Sequence, residues 1–382
     1  MKALARFIPA AAAALAAAAF AAPAASAATN SAAGHDSGGG PGGVVFALND
    51  NTAGNAVAAY HRAPNGKLTQ AGVYRTGGLG GVLTGSVVDH TASQGALAYD
   101  EAHGLLIAVN PGSDTVSVFR VHGDRLTLSQ VLSSGGDFPV SVSVHGDHAY
   151  VLNALGGGSL SGYRIAGQHL VPISGSQRAL NLGTTAASQF TATPGQVAFT
   201  PDGTRLLVTT KGATNAVDVF AVGPDGRLSA SPVVDSLPGA VPFAVAFDQA
   251  GHVALAEAGP SAIATFTLSR GGHLTQLDAA DTGQTATCWV VRAGQYFYTS
   301  NAGSGSVSGY TVGRSGGLTA LGNTTTDAGT VDAAAAGGRF VYVQTGKAGI
   351  VDEFAVGAGG ALTAIGSVTV PGGAGGEGIA AA

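Results

Sequence analysis

The sequence predicts an all-β chain folded as a seven-bladed β-propeller, with four-stranded antiparallel blades and a ring closed by the C-terminal strand. Three observations predict it. Seven times an aromatic residue closes one strand and a leucine opens the next across a glycine-bearing turn: Tyr60/Leu68, Phe119/Leu126, Tyr163/Leu170, Phe220/Leu228, Phe266/Leu274, Tyr310/Leu318 and Phe354/Leu362. Successive aromatics lie 59, 44, 57, 46, 44 and 44 residues apart, so a unit of about 44 residues recurs with two enlarged copies, a period that suits a propeller blade. Composition agrees: 10% of residues are charged and 61 are glycine, well below the roughly 25% charge of ordinary soluble chains and consistent with many short strands joined by turns.

In chain order, residues 1–27 read as a signal peptide: Lys2 and Arg6, an alanine-rich apolar run, then Ala25-Ser26-Ala27 at the expected cleavage site. The alternative is a retained membrane anchor, which alanine serves poorly because it is only weakly apolar. A lipid anchor needs a cysteine at the cleavage site, and Cys288 is the only one in the chain. Residues 28–43, rich in Ala, Ser and Gly, have too few large apolar groups to join a core and read as a flexible linker. Residues 44–382 carry the repeat and form one toroidal domain. Export is therefore expected, with no membrane span left after cleavage.

Charge narrows the partners. Loss of Lys2 and Arg6 with the leader moves the formal net charge from -5 to -7, and nothing clusters Lys and Arg as nucleic acid or an anionic membrane would require. One cysteine permits no disulfide within the chain. The fold must be held by its core and by ring closure, and a monomer is the expectation.

The fourth copy displays the unit most plainly. Gln196-Val-Ala-Phe199 leads through the turn Pro201-Asp202-Gly203 to Arg205-Leu-Leu-Val208, then through a loop to Ala216-Val-Asp-Val-Phe220, the turn Pro224-Asp225-Gly226 and a last strand from Leu228. Second strands such as Leu105-Leu-Ile-Ala-Val109 are apolar throughout, as a strand covered on both faces must be. The first copy begins at its second strand, Val44, while Gly375-Gly-Glu-Gly-Ile379 remains after the seventh. The C-terminal segment is thus predicted to supply the innermost strand of blade one, removing the free sheet edges of an open array. Both enlargements, residues 79–93 and 180–193, fall between one blade's last strand and the next blade's first. They share a face with the loops that join second and third strands, so functional residues are expected there.

Second strands end at Asn49, Asn110, Asn153, Thr210, Glu257, Asn301 and Thr345, a ring around that face. The asparagines either shape their own loops through backbone hydrogen bonds or, as at Asn110, Asn153 and Asn301, offer neutral ligand contacts. Glu257 departs from the pattern: a carboxylate after an apolar strand that, directed into the axial channel, would gain a raised pKa and suit proton transfer. Lys211 and Lys347 begin top loops and could stabilise an oxyanion, the plain alternative being solvated loop residues. Asp332 and Glu377, near the starts of innermost strands, are further acids for the channel, unless they serve as local caps. Arg178 precedes the second long loop and Asp89-His90 sits in the first, so either could overhang the mouth. Gln196 and Trp289, on innermost strands, are candidate ligand contacts, with core packing the alternative for the indole.

His145 and His148 resemble a metal pair, but their spacing puts them in the hairpin turn on the opposite face, and two further ligands cannot be placed. No metal or cofactor is expected. GxSxG, P-loop and HExxH motifs do not occur, which disfavours common serine hydrolases, nucleotide enzymes and zincins.

Pro201-Asp202-Gly203-Thr-Arg205, Val217-Asp-Val-Phe220 and Pro224-Asp225-Gly-Arg-Leu228, repeated in weaker form from Val44 to the C-terminus, resemble the seven-bladed propeller lactonase family. That family includes 6-phosphogluconolactonase and carboxymuconate lactonizing enzyme, and the repeats are also similar to YVTN-type surface propellers. The resemblance implies a histidine, an arginine and an acid at the channel mouth. Here Pro194-Gly195-Gln196 stands where Arg and His are expected, and Thr209-Thr210-Lys211 carries no acid. Two functions are carried forward. One is a secreted lactonase-like propeller that hydrolyses or isomerises a small lactone at the axial mouth, with Glu257, Asp332 or Glu377 activating water and Lys211 or Arg178 holding the oxyanion. The other is a non-catalytic secreted propeller that binds a glycan, a cell-wall component or a protein.

Overall fold

A computed structural model describes residues 42–382. The leader at 1–27 and all but the last two residues of the linker at 28–43 lie outside the described residues. Seven antiparallel sheets form the blades; six take their four strands in sequence order, and blade one takes its first strand from the C-terminal segment. Blade four, for example, runs Gln196–Phe199, Arg205–Thr209, Ala216–Ala221 and Val233–Ser236. Blade three carries an extra two-residue strand, Arg178–Ala179, against its third strand.

Blade one is completed as expected. Ile379–Ala381 pairs antiparallel with Gly43–Leu48, matching Ala47 to Ile379 and Val45 to Ala381. Reciprocal bonds of 3.0 and 3.2 Å between Val44 and Ala382 extend the ladder. The first and last segments of the domain therefore share one sheet.

The aromatic and leucine repeat has a backbone cause. In five blades the pairing of third and fourth strands shifts register immediately before the aromatic, at Tyr60, Phe119, Phe266, Tyr310 and Phe354. Such a bulge bends and twists the outer strand. All seven aromatics are buried between neighbouring blades. Tyrosines of the second strands add directional bonds: Tyr150, Tyr298 and Tyr342 donate to the carbonyls of Gly226, Gly360 and Gly66, in the outer turn of the following blade. These hydroxyls lie in apolar seams and would be costly without partners. Blade packing is thereby fixed in position as well as in area.

Candidate active site at the ring axis

The first enlargement, residues 79–93, does not project from the top face. It turns inward and plugs the axial mouth. On the way it bonds Asn51 of blade one and Gly112 of blade two through backbone groups. Ser93 Oγ reaches Val140 of blade three at 2.9 Å, and the Trp289 indole of blade six donates to the Ser93 carbonyl at 2.6 Å. Gln94 then crosses to blade six as a backbone mimic, accepting from the Val290 amide at 2.9 Å and donating to its carbonyl at 3.0 Å. Two glycines admit the plug. A Cβ at Gly346 would collide with the Val88 carbonyl, and one at Gly375 would enter the His90 ring.

Lys211 joins both enlargements. The second contains a helical turn, Ala186–Ser188, that continues into Gln189–Ala192. From the start of its loop Lys211 sends a buried Nζ to the Ala92 carbonyl of the plug at 2.6 Å, and to Phe190 O and Thr193 Oγ1 of the second enlargement at 3.1 and 3.0 Å. An ammonium has three hydrogens, and here are three acceptors. The Phe243 ring, 5.4 Å away, supplies a cation–π contact. Burial pulls the Lys211 pKa down to about 7, with Asp89 and Cys288 opposing. The thiol of Cys288 is itself pushed up to about 12 by burial, so it is inert as a nucleophile.

Within and beneath the plug lies a cluster of acids. Asp89 accepts from the Thr91 amide at 2.8 Å, the Thr91 hydroxyl at 3.0 Å and the Ser93 amide at 3.0 Å. Glu377, from the segment that closes the ring, contacts the Thr91 and Ser93 hydroxyls, both at 3.0 Å, and accepts the Gly95 amide at 3.0 Å. Asp332, on the innermost strand of blade seven, is its hydrogen-bond partner. Burial, the Asp332 charge and the Asp89 charge together raise Glu377 well above the ordinary carboxyl range. Burial lifts Asp332 to about 6 against the bond from Glu377. Burial and mutual charge thus favour one proton held between the two carboxyls. Beside them buried Asp50, pushed up to about 6 by desolvation, faces His90 at 3.5 Å.

Of the residues singled out by the sequence, Asp332 and Glu377 meet directly, and the charge of Asp89 is felt by both Lys211 and Glu377. Two predicted placements are corrected. Glu257 does not point into the channel but lines an open cleft beside the outer part of blade five. Arg178 does not overhang the mouth: it lies at the outer edge of blade three and donates to the carbonyls of Gly175, Gln177, Leu228 and Ser229. Those four acceptors occupy its guanidinium.

The neutral candidates are also placed. Asn110 and Asn301 are sealed, each donating to two hydroxyls of its own third strand, and Asn153 bonds Ser159 and the Ser134 carbonyl. Gln196 clamps the Val245 amide of the next blade at 2.6 Å. Trp289 packs on Phe243 at 4.9 Å and anchors the plug. Lys347 is exposed. His145 and His148 face each other across the hairpin between first and second strands, as expected.

Sequence reasoning missed Thr91, Ser93, Gln94 and Asp50. The signal was the dense polar stretch Asp89-His90-Thr91-Ala92-Ser93-Gln94 inside an enlargement. Nothing in its spacing told an inward plug from an outward loop.

Comparison with known proteins follows this geometry. Solved structures that superpose on the chain include a Bacteroides fragilis protein assigned as a 6-phosphogluconolactonase, at 18% identity and a TM-score of 0.71 over 89% of this chain and 98% of that one. The periplasmic gluconolactonase PpgL of Pseudomonas aeruginosa follows at 18% and 0.68, over 89% and 98%. Virginiamycin B lyase from Staphylococcus aureus is more distant, at 13% and 0.52, over 70% and 82%. At these identities the likeness establishes the fold. No curated protein sequence is a match. The model of the family described as Lactonase, 7-bladed beta-propeller, matches residues 80–373, and the chain belongs to that family.

Proposed function

We propose that this protein processes a small lactone by acid–base chemistry at the axial cluster. The observation that carries the reading is the Glu377–Asp332 pair, two buried carboxyls with raised pKa values that can hold one proton between them, with Lys211 near Asp89. Water adds to the lactone carbonyl carbon while the Asp332 carboxylate takes its proton. The ring C–O bond then breaks as Glu377 passes its proton to the departing alkoxide, leaving a hydroxy acid. When residues 79–93 lift, the Ala92 carbonyl leaves Lys211 Nζ, and the freed hydrogen of the charged form can meet the oxyanion between these steps. Family membership and the gluconolactonase names of similar structures support the substrate class. Substrate entry requires residues 79–93 to lift from the mouth.

Assay of the purified chain against aliphatic, aromatic and sugar lactones, followed by acid release, is expected to find turnover with at least one class. Asp332→Asn should lower kcat/KM about a hundredfold while the circular dichroism spectrum holds. No turnover across the panel overturns the reading. One observation favours the alternative, a non-catalytic propeller that binds a glycan, cell-wall component or protein through its top face: the mouth is filled by the chain itself. That reading alone survives an inactive panel.

Export belongs to the same proposal and rests on the sequence of residues 1–27. Intact mass of the exported protein should place its first residue at Ala28. A full-length chain retained in the cytoplasm would sink it.

A further inference from the structure

Glu257 occupies a place where every other blade spends its side chain internally. At the ends of the other second strands, the Asn49 side chain accepts the Ala56 amide, Thr210 and Thr345 donate to the Ala216 and Ile350 carbonyls, and Asn153 bonds Ser159. Asn110 and Asn301 are held by hydroxyls five and seven residues on, Thr115 and Ser117 in one case and Ser306 and Ser308 in the other. In blade five the matching residues are Ala262 and Ala264, and the strand partner on the axial side is Pro242. The side chain changed to an acid, and every internal partner for it is gone.

Glu257 is 9% exposed and, among the described residues, bonds no side chain or backbone amide. Burial raises its pKa, and no neighbouring charge or hydrogen bond contributes. A half-desolvated carboxylate without a partner destabilises the fold. It borders an open cleft of about 480 Å³ whose walls include Leu237, Pro238, Ala240 and Pro260, with Ser236 and Gln276 at the edges. Pro238 and Pro260 lack an amide hydrogen, so neither donates to the Glu257 carboxylate. The cleft sets the unpaired Glu257 carboxylate between the apolar walls of Leu237, Pro238, Ala240 and Pro260 and the polar side chains of Ser236 and Gln276.

We propose that this cleft is a binding site for a small organic amine, whose ammonium pairs with Glu257 while its carbon body packs on Leu237, Pro238 and Pro260. A charge-assisted bond to an ammonium satisfies the acceptor and the charge together, which a neutral hydroxyl cannot do. The site lies outside the axial cluster and is independent of any lactone chemistry there. The ammonium can belong to an aliphatic amine or to an amino sugar.

Titration with n-butylammonium and with D-glucosamine, against n-butanol and D-glucose as neutral matches, separates these sources. Amide shifts at Ser236, Leu237, Gly239 and Gln276 provide the readout. At least one amine is expected to move them saturably, its neutral match should not, and Glu257→Gln should weaken binding about tenfold or more. The same variant should melt no lower than the parent, because a purely structural acid would lower the transition when replaced. Equal binding by the neutral matches, equal binding by Glu257→Gln, or no shifts with either amine overturns the proposal.

Discussion

Deletion of residues 373–382 is expected to cost roughly 5 kcal/mol or more, lowering the melting temperature by about 10 °C. Three losses add up. Gly43–Leu48 loses its axial neighbour, which exposes a row of unpaired backbone groups on an apolar edge. Buried Ile379 and Ala380 leave the seam between blades one and two and the seam between blades one and seven. Glu377 disappears from beneath the plug, so the Thr91 and Ser93 hydroxyls and the Gly95 amide lose a partner. Thermal unfolding followed by circular dichroism provides the measurement, and a synthetic peptide of residues 373–382 should restore part of the loss. A truncated chain that melts like the parent would show that the ring closes by other means.

Lys211→Ala should free the plug. The substitution strands three acceptors and leaves Asp89 without its nearby cation, and breaking a buried charge network in this way costs about 3 kcal/mol or more. Limited proteolysis should then cut within 79–93, a segment protected in the parent. A pH series provides a second signature. Folded Lys211 has a pKa near 7, below the 10.5 of the free side chain. Between those values the unfolded chain holds a proton that the folded chain has released, so the parent gains stability from this group as pH rises from 7 toward 10.5. Below pH 7 both states are protonated and the contribution is flat. Lys211→Ala should lose that slope. An unchanged slope with an uncut plug would mean that Lys211 does not hold the loop.

The ring was legible in the sequence because its causes are periodic. Tyr60 through Phe354 repeat a local event, a buried aromatic followed by a turn and a leucine, with a bulge at the aromatic in five of the seven copies. Closure was legible by subtraction, since Val44 begins with no innermost strand and Ile379 ends with no blade. The site was legible only where it touches that frame. Asp332 lies on the innermost strand of blade seven and Glu377 just before that of blade one, so counting along the repeat brought both to the axis. Glu257 and Arg178 were placed by counting too, but a side chain's direction depends on what surrounds it. For Glu257 the decisive facts were alanines at 262 and 264 and the cleft wall from the preceding connection. For Arg178 they were four carbonyls, two of them on the next blade. The path of residues 79–93 depends on gaps left by Gly346 and Gly375, hundreds of positions away, which no local pattern conveys.

The acid beneath the plug lies almost three hundred residues after the loop that it holds. While the protein is being synthesised the first enlargement already exists, but Glu377 does not, and blade one still lacks its axial strand. Docking of the segment that carries Glu377 and Ile379 therefore completes the circle and adds the acid's bonds to its lid in one event.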